Sequence, residues 1–131
     1  MDRAEVEAAV AAGEDLSGVG LYGADLKTAN LAGARLSRAD LYGANLDGAN
    51  LAGALLDGAN LYGAQLVGAS LAGALFDGAN LYGARLEGSA LEGARMSGAE
   101  LAGAVLTGAT YDSMTVFPAD FAMADPAGGV L

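Results

Sequence analysis

The 131-residue chain has no cysteine, which removes disulfides, thiolate nucleophiles and zinc–thiolate sites. It has no histidine either, so the usual general base near neutral pH and the commonest metal ligand are both missing. Basic residues are scarce, 6 against 16 acidic, and the formal charge of −10 repels nucleic acid and anionic membrane surfaces. Long apolar runs are absent too. Although 53% of the residues are hydrophobic, a glycine or polar residue interrupts them at short intervals, far below the ~20 apolar residues of a membrane span. The start, Met1-Asp2-Arg3-Ala4-Glu5, lacks the basic flank and apolar region of a secretory signal, so the expected address is the cytoplasm. The length fits one domain. No serine stands beside a plausible base, and no catalytic residue, metal ligand or cofactor site is assigned. The chain is expected not to be an enzyme, which leaves a scaffold, a binding surface or a mimic of something acidic.

What the chain does have is a repeat. Leucine or a substitute falls at every fifth position from Leu16 to Tyr111, and only Phe76, Met96 and Tyr111 depart from leucine. Two residues earlier, alanine is unbroken from Ala24 to Ala84. Two residues later, glycine holds from Gly18 to Gly108 except at Thr28 and Arg38. The unit is Ala-(Asp/Asn)-Leu-x-Gly. A period of five fits neither the 3.6 of a helix nor the 2 of an ordinary strand, and regular glycine signals regular turning of the backbone. A slower period lies above it: tyrosine follows the leucine at Tyr22, Tyr42, Tyr62 and Tyr82, and alanine at Ala32, Ala52 and Ala72. Twenty residues are four units, so four units make one coil and like faces stack.

The run Ala49-Asn50-Leu51-Ala52-Gly53, with its neighbours, resembles the bacterial pentapeptide repeat family over roughly residues 14–113. The resemblance implies an all-β solenoid, a right-handed quadrilateral β-helix of about five four-sided coils. It implies little about activity, because most members have none assigned and a minority resemble DNA and inhibit type II topoisomerases. Residues 1–13 are expected to form a short N-terminal capping helix, with Asp2 and Glu5 as a capping box and Val6 and Val10 against the first coil. Residues 114–131 are expected to be an irregular C-terminal cap, with Phe117, Phe121 and Met123 over the last coil and Ala124–Leu131 loose. The leucines and the alanines two before them are expected to point inward and fill the interior, so function must sit outside.

Four faces follow from the register. The tyrosine face is either a stacking ladder that stabilises the coil or a protein-binding stripe. A second face carries Lys27, Asp47, Val67, Glu87 and Thr107. The third, with Ala32, Ala52 and Ala72, is flat enough to pair with a second copy. The fourth stacks Ser17, Ser37, Asp57, Asp77 and Ser97 beside Leu55 and Leu75, which stand where the family has Asp or Asn and hint at an apolar contact. Gly18-Val19-Gly20-Leu21-Tyr22-Gly23 fits a dinucleotide fingerprint, but its glycines come from the repeat and no strand and long helix flank it.

The leading expectation is a non-enzymatic scaffold presenting flat faces to an unknown protein partner, through Tyr22, Tyr42, Tyr62, Tyr82, Leu55 and Leu75. No direct contact with nucleic acid or membrane is expected. The alternative is an acidic DNA mimic that binds DNA gyrase, a type II topoisomerase. Residues 14–113 hold 11 acidic and 5 basic side chains, whereas ~24 Å of duplex carries ~14 charges. A homodimer through Phe117 and Phe121 would lengthen so short a rod. A consensus-built scaffold would share the regularity, but the irregular tail and the breaks at Thr28, Arg38 and Ser89 favour a natural chain.

Overall fold

The computed structural model describes residues 1–122 and 125–131. Its first element is α1, Arg3–Ala11. Asp2 is its N-cap, and the capping box is closed in both directions: Asp2 Oδ1 accepts from the Glu5 N–H at 2.8 Å, and Glu5 Oε1 accepts from the Asp2 N–H at 3.1 Å. The helix ends in a Schellman turn. Gly13, at φ 72°, donates to the Val10 carbonyl and Glu14 to that of Ala9. Val6 and Ala9 are buried against the solenoid, with Val10 partly so.

From Asp15 onward the chain is held by parallel bridges between residues twenty apart, Asp15↔Arg35, Gly20↔Asp40 and so on to Ala90↔Thr110. The sequence period is therefore the physical pitch of a β-solenoid. A single unit shows why these five residue types recur. The Ala44 N–H donates to the Leu41 carbonyl at 3.0 Å, closing a turn over Tyr42 and Gly43, and Gly43 sits at φ 62° where a side chain would be strained. The N–H groups of Leu41 and Gly43 donate to the carbonyls of Asn60 and Tyr62 in the coil above, and that of Asp40 donates to Val19 below. One donor, the Tyr42 N–H, is left over. Asp40 Oδ1 accepts it at 3.1 Å, as Asn60 and Asn80 do for Tyr62 and Tyr82. Where Asp or Asn precedes the central leucine, as at Asp40, Asn60 and Asn80, its side chain completes the backbone hydrogen bonding.

The inward assignment is met along the solenoid: Leu21 to Leu91 and the inward alanines Ala29 to Ala84 are buried in one continuous core, with Phe76 and Met96 at two leucine positions and Ala24 partly buried at its start. The core loosens at its far end, where Leu101, Ala104 and Leu106 are only partly buried. Ser89 replaces an inward alanine, and its buried hydroxyl has no partner among the described residues. Among the described residues no helix is long and apolar enough to cross a membrane.

Two turns of the repeat lack glycine. Thr28 and Arg38 hold φ 60° and 58°, a conformation costing ~1–3 kcal/mol for a side-chain-bearing residue. Arg38→Gly and Thr28→Gly are each expected to raise stability by about 1 kcal/mol, seen as a higher urea midpoint at unchanged slope. A fall in the midpoint would mean that the side chain makes a compensating contact.

The tail departs from expectation. Residues 125–131 are not loose: β2, Gly128–Val130, pairs antiparallel with β1, Thr110–Asp112, and the Leu131 N–H donates to the Ala109 carbonyl at 2.8 Å. Glycine makes this close approach workable, because a Cβ on Gly128 would stand 2.8 Å from the Asp112 Cα. Met123, expected over the last coil, and Ala124 lie outside the described residues.

Carboxylates tie both ends to the solenoid. Glu7 of α1 accepts the Asn30 N–H at 2.8 Å, and this bond, with Arg3 at 3.3 Å, holds its carboxyl below the ordinary range. Asp112 is lowered in the same sense, chiefly by the Gly93 N–H and also by those of Met114 and Thr115. A folded pKa below the unfolded one gives stability that is complete at neutral pH and lost as pH falls through the ordinary carboxylate range near ~4. The melting temperature is expected to hold from pH 7 to about 5 and to drop below about 4, with a shallower drop in Glu7→Gln. An identical acid profile for Glu7→Gln would remove Glu7 from this account.

Candidate surface site

The tyrosine column is a ladder of three rungs. Tyr42 and Tyr62 stack with centroids 5.4 Å apart and planes 9° off parallel, and Tyr62 and Tyr82 at 5.1 Å and 16°. All three stay roughly half exposed, so ring faces stabilise the coil while ring edges meet solvent. Tyr22 shares the column but does not stack on Tyr42, and it is 74% exposed. Two residues back, Gly20 stands where Asp40, Asn60 and Asn80 accept from the other three tyrosine N–H groups, so the Tyr22 N–H has no such side-chain acceptor, although the backbone bonds of its turn are the same as theirs.

Leu55 and Leu75 bridge each other and are half-buried, between Arg35 below and Arg95 above. They do not join the tyrosines, since the register puts them on the neighbouring face. Arg35 pairs with Asp15 at 3.4 Å and Arg95 with Asp77 at 3.5 Å, so charged side chains bracket the leucine pair. Asp57 accepts the Ser37 hydroxyl at 2.6 Å. The two vertically adjacent carboxylates are thus engaged with different partners. Among the described residues no group of three or more carboxylates is placed to hold a metal ion.

Phe117 and Phe121, the residues expected to make a dimer contact, lie together over the far end of the core. Phe117 is buried in its own chain, edge-on to Tyr111 at 5.5 Å and stacked on Phe121 at 4.5 Å. Its ring closes an aromatic cluster over the core, as expected of a residue covering the last coil. Phe121 is half-buried and lines an open hollow with Glu100, Leu101, Ala102 and Asp120.

That hollow was not singled out by sequence reasoning. It continues the tyrosine face, because Ala102 is the next residue up the column from Tyr82 and a Cβ on Gly103 would lie 4.0 Å from Tyr82 Cζ. The signal available was Glu100, an acid in the Asp40–Asn60–Asn80 column, whose Oε1 accepts the Ala102 N–H at 2.9 Å. Asp120 follows the repeat, where periodicity gives no position.

The pentapeptide repeat family model matches this chain in eight copies, over residues 21–58, 34–73, 54–91 and 84–110. Among solved structures, the pentapeptide repeat protein Rfr23 from the cyanobacterium Cyanothece 51142 is 32% identical at TM-score 0.53, over 79% of this chain and 87% of that one. The pentapeptide repeat protein alr5209 from Nostoc PCC 7120 is 30% identical at TM-score 0.50, over 92% and 88%. QnrB1, a plasmid-mediated fluoroquinolone resistance protein, is similar at 21% identity and TM-score 0.52, over 74% of this chain and 53% of that one, a likeness of fold alone. No curated protein matches significantly.

Proposed function

This chain belongs to the pentapeptide repeat family, and from that premise we propose that it is a non-enzymatic scaffold whose tyrosine face binds a protein partner. We infer with it a right-handed quadrilateral β-helix of about five coils, closed at one end by α1 and at the other by the C-terminal segment. The observation that carries the functional reading is the ladder itself. Three half-exposed tyrosines stack with near-parallel rings along one face, where rigid aromatic area costs little entropy to bury. The filled interior leaves no room for a substrate, which favours a surface function.

Charge placement favours this reading over mimicry of DNA. Arg35, Arg38 and Arg95 interrupt the acids on one face, and Lys27 and Arg85 do so on another, whereas duplex DNA has phosphates all along its length. The test is capture from a native bacterial lysate on immobilised protein, beside a Tyr42→Ser/Tyr62→Ser/Tyr82→Ser variant verified as folded. A protein retained by the parent and lost from the variant is the expected result. DNA gyrase retained equally by both would support acidic mimicry and sink the tyrosine-face assignment.

A further inference from the structure

We propose that the tyrosine face seats an extended, basic segment of the partner protein, carrying two arginines or lysines four residues apart. This deepens the scaffold reading and rests on it. The first ground is where the cations are not. The stacked units Val19–Gly23, Ala39–Gly43, Ala59–Gly63, Ala79–Gly83 and Ala99–Gly103 hold no basic residue; all 6 of the chain's basic side chains stand on α1 or on other faces.

The second ground is where the acids are. Asp40 lies at the foot of the ladder and Glu100 at its head, joined by the bridges Asp40↔Asn60↔Asn80↔Glu100. Asp120 adds a second carboxylate at the head, across the hollow that Phe121 lines. None of these three acids has an ion-pair partner among the described residues. Each end is therefore a seat for a cation, and the upper seat offers an aromatic ring beside its carboxylates, a setting that favours a guanidinium.

Spacing selects the ligand. Three coil steps of ~4.8 Å separate the two seats by ~14 Å, and four residues of extended chain span ~13 Å. An even separation also places both basic side chains on one side of the strand. The residue midway between them then falls between the exposed ring edges of Tyr62 and Tyr82, so an apolar side chain suits it. An adjacent pair of basic residues cannot reach both seats.

The chain has no tryptophan, and four of its five tyrosines stand in this column, so tyrosine fluorescence reports mainly on this surface, with a fixed background from buried Tyr111. The full-length protein is titrated with a Thr-Arg-Thr-Val-Thr-Arg-Thr peptide, its isomer with the arginines adjacent, and its counterpart with both arginines replaced by glutamate. Amide shifts in an NMR spectrum locate the contact. Asp40→Asn and Glu100→Gln serve as variants, because each keeps the oxygen that accepts its local backbone N–H. The spaced arginine peptide is expected to shift the amides of Asp40–Gly43, Asn60–Gly63, Asn80–Gly83 and Glu100–Gly103. It should bind about fivefold more tightly than the isomer and lose about that factor in each variant, at unchanged melting temperature.

Equal binding of the isomer or the acidic peptide would overturn the proposal, as would shifts on another face or no binding at millimolar peptide. A partner captured through the tyrosines while the spaced peptide fails to bind would leave the scaffold reading standing and this inference refuted. Binding of the spaced peptide with the expected losses, without a tyrosine-dependent partner in lysate, would uphold the basic-segment seat and count against the scaffold reading.

Discussion

Leu66→Asp is expected to abolish the fold. Leu66 is fully buried, midway along a core built from leucine and alanine, with no water-filled space to receive a carboxylate. The substitution loses the ~1.5–3 kcal/mol of leucine burial. It also places an ionisable group where it must lose its solvation or its charge, at a further cost of several kcal/mol. Together these approach the ~5–15 kcal/mol that holds a domain of this size together. Far-UV circular dichroism and size exclusion would show an expanded or aggregated chain, while Leu66→Met, which conserves volume, should cost under ~1.5 kcal/mol. A normally folded Leu66→Asp would overturn the inward placement of the leucine column.

Phe76→Ala carries the second largest effect, about 3–5 kcal/mol lost with a matching fall in the chemical-denaturation midpoint. Phe76 is the one ring at a leucine position inside the solenoid proper, fully buried, with Leu56 and Met96 in the same column. Stacked coils are tied to each other by backbone bonds on every side, so they cannot collapse into the space an absent ring leaves. Phe76→Leu restores the residue found elsewhere along the column and should cost far less than alanine. Equal losses for both would show that the ring's shape, and not its volume, is what the site requires.

The architecture was legible because each residue type in the unit answers a separate physical demand. Leucine and alanine fill the interior, glycine takes the positive φ, and Asp or Asn accepts the leftover N–H. A twenty-residue tyrosine period therefore located Tyr42, Tyr62 and Tyr82 correctly in a column. Periodicity fixes position but not side-chain direction, and so it could not foresee that Tyr22 leaves the ladder. The clue was Gly20, whose missing side chain removes the acceptor. After Asp112 the period ends and with it the inference. The pair Gly128-Gly129 reads as a loose end in sequence, yet it is what lets a strand lie against Asp112. The expected cover of the last coil by Phe117 was legible only as an apolar residue past the repeat, since nothing in its spacing says which way the ring turns. The acidic hollow needed Asp120 brought beside Glu100 by a segment outside the repeat.

The stacking of each residue on the one twenty positions away has a consequence for inheritance. Loss or duplication of a single five-residue unit would leave the core column filled by leucine or its substitutes and nearly every turn by glycine, so the fold would survive. All faces beyond the event, however, would be displaced by a quarter of a coil, carrying Tyr82 out of line with Tyr42 and Glu100 away from Asp40. Changes of whole coils keep the faces aligned and merely lengthen them. A lineage that depends on this surface should therefore tolerate indels of twenty residues and purge those of five, even though both are equally kind to the core.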